Sequence, residues 1–150
     1  MAGFATGLLT IISGCGTAHG ITTPSTSLTP GPQSSSLVNG NISVNAQTNL
    51  DYAFTVEPTM KDVHVVGSFD TFGGAPNHIE VYIMDDATYK IWIKGGTARI
   101  LLDSGSLSSG DIDQAITTPG KYHLTFTNYA PPSLSPAQQV TVSFDLKWTY

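Results

Sequence analysis

Hydrophobic and polar positions alternate most strictly at the end of the chain, over Val140-Thr-Val-Ser-Phe-Asp-Leu-Lys-Trp-Thr-Tyr150. Side chains leave a strand on alternate sides, so Val140, Val142, Phe144, Leu146, Trp148 and Tyr150 share one face and the polar residues share the other. This predicts a half-buried strand. Upstream, Leu50, Tyr52, Phe54 and Val56 repeat the pattern until Glu57-Pro58, where proline withdraws a ladder donor. Val63, Val65, Gly67 and Phe69 form a further run, followed by a turn through residues 70–76. Ile79 to Met84 is apolar on both faces, which predicts a central strand covered on each side.

Tyr89 to Lys94 fits either a strand or a short helical turn bounded by Gly95-Gly96. Arg99 to Leu102 and Asp111 to Ile116 read as short strands, separated by a Ser/Gly loop over 103–110. Tyr122, Leu124 and Phe126 then alternate with Lys121, His123, Thr125 and Thr127. Eight or nine closely spaced strands, with Gly and Pro at the turns and no convincing amphipathic helix, predict an antiparallel β-sandwich.

Composition supports that class, since 15 Gly and 9 Pro favour turns and only 11% of residues are charged. A net charge of −5 excludes the basic face that nucleic acid demands. The charge distribution divides the chain: no Asp, Glu, Lys or Arg precedes Asp51. Residues 15–41 are rich in Ser, Thr, Pro, Gly and Asn and read as a flexible tether, reaching on the order of 25 to 30 Å. The folded domain is accordingly expected over 42–150, beginning at the alternation of Ile42, Val44 and Ala46. Asn41-Ile42-Ser43 also fits a glycosylation sequon.

Ahead of the tether, Phe4 to Ile12 is an apolar run too short to span a bilayer. It ends in Ile12-Ser13-Gly14-Cys15, which resembles the box of bacterial lipoprotein signals, although Met1-Ala-Gly supplies no Lys or Arg before the run. That resemblance implies a signal segment over 1–14, lipidation of Cys15 and a membrane anchor at the cell envelope, outside the cytoplasm. As Cys15 is the single cysteine, no internal disulfide is available.

From about Leu50 onward a series of motifs recurs in order: Gly67-Ser-Phe69, Gly73-Gly74, Asn77-His-Ile-Glu-Val-Tyr-Ile-Met-Asp85, Trp92-Ile-Lys-Gly95, Ser104-Gly105, Gly120-Lys-Tyr-His-Leu-Thr-Phe-Thr-Asn128 and Val140-Thr-Val142. Their spacing resembles the GOLD-like, emp24-type β-sandwich of exported bacterial proteins, and is similar to pre-peptidase C-terminal domains. The family pattern has Asp where this chain has His78. The resemblance implies a jelly-roll module that binds or presents, without catalysis.

Candidate chemistry is sparse. The histidines at 19, 64, 78 and 123 fall at no zinc-like spacing, and His64 and His123 lie on polar strand faces expected to be solvated. His78 and Glu80 point the same way and could pair. Ser104-Gly105 lacks a nucleophile elbow, so a small hydrolase is a distant alternative. Calcium is the most plausible ion, with Asp85, Asp86, Asp111 and Asp113 as oxygen donors near strand ends. Tyr89 and Trp92, with Tyr82, offer aromatic faces on which a sugar could stack, so a carbohydrate-binding module is the alternative to a protein-binding one. The expected partner is thus a protein or glycan at the cell envelope.

Overall fold

A computed structural model describes residues 31–73, 76–134 and 137–150. In chain order these residues form β1 (Gln33–Asn45), β2 (Thr48–Val56), β3 (Lys61–Phe72), β4 (Ile79–Asp85), α1 (Asp86–Trp92), β5 (Leu102–Leu107), β6 (Ser109–Ile116), β7 (Gly120–Asn128) and β8 (Ala137–Thr149). Two four-stranded sheets result, the first ordered β1-β8-β3-β6 and the second β2-β7-β4-β5. All the pairings are antiparallel. Except at β4 and β5, successive strands change sheet, which is the topology of a jelly roll.

The period-two pattern decides which side of each strand is buried. Val140, Val142, Phe144 and Leu146 of β8 enter the core, as do Tyr122, Leu124 and Phe126 of β7 and Ile79, Val81 and Ile83 of β4. Phe126 and Phe144 meet edge-on across the two sheets, with ring centroids 5.6 Å apart. Gly67 lies where β3 runs beside β8, and a Cβ there would collide with the Ser143 carbonyl oxygen and the Phe144 ring. Here the missing side chain makes room for the aromatic.

Three boundaries differ from the sequence reading. The sandwich begins at Gln33 rather than at residue 42, because β1 pairs along β8 from Gln33↔Trp148 to Asn45↔Ala137. Its Ser and Asn residues need no apolar pattern: an edge strand is held by backbone hydrogen bonds, and Leu37, Val38 and Ile42 supply the packing. The stretch expected as a loop over 103–110 instead carries β5 and the start of β6, while residues 99–101 of the expected strand are irregular. β5 is likewise an edge strand, with a register shift opposite Glu80/Tyr82 where the Ser104 hydroxyl accepts from the Val81 N–H at 2.8 Å.

The ambiguous stretch around Tyr89 is helical. Asp85 accepts the Thr88 N–H at 2.7 Å as N-cap, Asp86 occupies the first turn and Lys90 the last. Gly95, with φ +77°, and Gly96 then turn the chain back, the Gly96 N–H bonding the Ile91 carbonyl at 3.1 Å. This helix lies over the outer face of the second sheet. It makes β4 covered on both sides, as its sequence predicts.

Candidate functional site on the outer face of the second sheet

Outward-facing residues of β2, β7 and β4 meet in register beneath α1. Asp51 opposes Thr125, which opposes Tyr82, and Asn49 opposes Thr127, which opposes Glu80. His123 lies between Ala53 and Met84. Far from being solvated, it is 3% exposed. Its Nδ1 lies 2.8 Å from Asp51 and its Nε2 3.1 Å from Asp86. Each ring nitrogen therefore faces one carboxylate, so the ring links β2 to α1 through β7. The expectation of a surface histidine failed because alternation assigns a face, whereas the cover on that face comes from a helix the sequence left undecided.

The carboxylates have further partners. Asp51 accepts from the Thr125 hydroxyl at 3.1 Å, and Asp86 pairs with Lys90 at 2.5 Å and Lys121 at 3.6 Å. Hydrogen bonds from Lys90 and His123, then the charges of Lys90 and Lys121, hold Asp86 at about 2, well under the usual carboxylate value. Tyr89 stacks flat on the His123 ring, with centroids 3.9 Å apart and planes 5° from parallel. Burial, then the charge of Asp51, pushes the Tyr89 phenol up, while a hydrogen bond with Asn49 acts the other way. With both nitrogens engaged and one face covered, this ring has no free nitrogen to exchange a proton with a substrate.

The aromatic cover continues along the sheet. Trp92 packs on Tyr89 at 6.1 Å and on Tyr82 at 5.4 Å. Burial, followed by hydrogen bonds with Glu80 and Tyr129, raises the Tyr82 hydroxyl above its ordinary range. Beside this cover, Trp92, Ile93, Tyr129, Gln47, Asn49 and Thr127 line an open groove of about 420 Å³. A smaller depression of about 240 Å³ shares Thr127 and Tyr129 with it and adds His78, Glu80 and Ser106.

Tyr129, 52% exposed, stands between the two depressions on a braced loop. Gln47, held at φ +58°, bonds the Asn128 carbonyl through its backbone N–H at 2.8 Å. Its side-chain amide donates to the carbonyls of Tyr129 and Ala130. The Asn128 amide donates to the Val44 carbonyl at 3.0 Å, and its oxygen accepts the Ala130 N–H at 2.9 Å. A left-handed non-glycine residue is costly, and these bonds fix it.

A larger cavity of about 580 Å³ opens at one end of the sandwich, among Asp85, Arg99, Leu101, Lys121 and Tyr122. Its charges are mixed in sign, with Asp85 engaged as a helix cap and Asp86 held by the lysines and His123.

The sequence-predicted residues are thus placed as follows. Tyr89 is committed to His123, while Trp92 reaches the groove. Asp85 and Asp86 belong to α1 and its cap, whereas Asp111 and Asp113 lie on β6 of the first sheet, so the four acids do not converge. Asp113 pairs at 2.5 Å with His64, whose side chain is 41% exposed. Among the described residues no three His, Cys, Asp or Glu side chains gather as a metal cage. Glu80 bonds Tyr82, and His78 is exposed beside it. Cys15 and His19 lie outside the described residues. The groove residues Gln47, Asn49, Thr127 and Tyr129 had no signal in the sequence, since they come together only through cross-strand register and a turn-to-loop contact. Compared with known proteins, the chain matches no family model and no curated protein.

Proposed function

We propose that this protein is a non-catalytic binding module, exported and anchored at the cell envelope through lipid on Cys15, which engages its partner with the outer face of the second sheet. The observation that carries the reading is the contrast within that face. His123, Asp51 and Asp86 are engaged with one another under α1, while the adjoining groove is open and walled by an aromatic ring on a braced loop. Catalysis requires a titratable group within reach of a substrate, whereas recognition requires a rigid, desolvatable surface. The second has structural support in the bonds that fix Gln47 and the Tyr129 loop. The lipoprotein-like box supports the location, and the ordered GOLD-like motifs support a module that presents rather than reacts.

Two measurements test this reading. Metabolic labelling with palmitate should mark the wild type and not Cys15→Ser, and equal absence of label in both ends the anchor proposal. Purified chain should sediment with isolated cell envelopes, and Tyr129→Ala should release it. Sedimentation unaltered by that substitution would remove the groove from the function.

A further inference from the structure

We infer that the groove takes a neutral oligosaccharide chain, stacked on Trp92 and Tyr129 and hydrogen-bonded by the Thr127 hydroxyl; the inference rests on the binding-module reading above. Thr127 is 4% exposed, and its Oγ1 is a buried polar atom with no hydrogen-bond partner among the described residues. It shares that state with atoms of Asn77, Gln138 and Trp148, but Thr127 alone of the four lines the groove, and neighbouring Thr125 on the same face bonds Asp51. A buried hydroxyl without a hydrogen-bond partner is unfavourable, and a sugar hydroxyl can both donate to it and accept from it.

The shape and charge of the site narrow the ligand. Thr127 and Tyr129 border both depressions, so a ligand that contacts them is placed to run from one hollow into the other, as a chain of several units does. Among the described residues no Lys or Arg lines either hollow, and the one carboxylate, Glu80, is engaged by the Tyr82 hydroxyl. An anionic ligand therefore finds no cationic side chain in the wider groove and only the His78 imidazole in the smaller hollow. Trp and Tyr rings offer broad apolar faces that cover the C–H side of a pyranose, while amides and hydroxyls at the edges meet its rim. The loop is fixed beforehand by Gln47 and Asn128, which limits the ordering cost of binding.

Titration calorimetry of the full chain with cellohexaose, xylohexaose, chitohexaose and maltohexaose tests the inference. At least one hexaose should bind. Tyr129→Ala should weaken it roughly tenfold, and the near-isosteric Thr127→Val by about fivefold, both with the wild-type thermal midpoint. Absence of binding by all four, or affinity unaltered in both variants, overturns the proposal. Periodate cleavage of envelope sugars separates this failure from that of the broader reading. Sedimentation that survives periodate but is abolished by protease treatment of the envelopes sinks the sugar and leaves the binding module standing. A chain that never sediments with untreated envelopes brings down the module reading itself.

Discussion

At the scale of single residues, His123 organises the covered face. It joins Asp51 of β2 to Asp86 of α1 and supports the Tyr89 ring, so its removal takes one partner from each of two carboxylates and leaves a void under the helix. Both acids retain some contact with water, which keeps the cost below that of breaking a wholly buried pair. His123→Ala should destabilise the fold by about 2 to 4 kcal/mol in urea titration. Asp86 has its own signature in pH. Because its value in the folded protein, about 2, lies below the ordinary 3.8, its contribution is complete above about pH 4 and disappears as pH falls through about 2. Thermal midpoints measured from pH 6 to pH 2 should therefore fall less steeply over the last two units in Asp86→Asn than in the wild type. Parallel curves would show that the acid does not contribute.

The sequence carried part of this. Alternation placed His123 opposite Tyr122 and Leu124 on the strand, which is correct, but burial of a polar face depends on what lies over it. Nothing local to β7 announces a helix that arrives from the other side of β4.

At the scale of elements, strands with a buried face were readable and edge strands were not. β8, β7 and β3 carry their apolar residues at every second position because one side meets the core, and β4 is apolar on both faces because α1 covers its outer side. β1 and β5 are held by main-chain bonds to a neighbour, and Ser, Asn and Gly pair through the backbone as well as any residue. Composition therefore resembled a linker at β1 and a loop at β5. The helix α1 is seven residues long; the alternation of Tyr89, Ile91 and Ile93 left that stretch undecided between strand and helical turn, although a cap and an (i, i+4) Asp86–Lys90 pair were present in the sequence. The corrected boundary makes a specific prediction. A fragment beginning at residue 31 keeps all of β1, whereas one beginning at 42 loses pairing from Gln33 to Asn41 and uncovers the matching edge of β8. The shorter fragment should melt at least about 10 °C below the longer one, as seen by circular dichroism. Equal midpoints would restore 33–41 to the tether.

At the scale of the molecule, the two sheets do different work. Their inner faces make one core, and alternation along the chain was enough to foresee that core and the antiparallel sandwich around it. The outer face of the first sheet is a polar surface carrying the exposed His64–Asp113 pair and the side chains of Ser143, Asp145 and Lys147. The outer face of the second sheet is layered, with a carboxylate–histidine network, an aromatic cover and an open groove. The groove was half legible: Trp92 was identifiable as an aromatic on offer, but its companions lie some 35 or more positions away in either direction and meet it only once the strands are paired.

Hydrogen–deuterium exchange of the full chain, alone and with isolated cell envelopes, asks directly which face binds. The groove assignment predicts slower exchange of the amides over 93–96 and 129–130 when envelopes are present, with the β1 and β8 amides unaffected. Protection along β1 and β8 instead, or no protection anywhere, would contradict it.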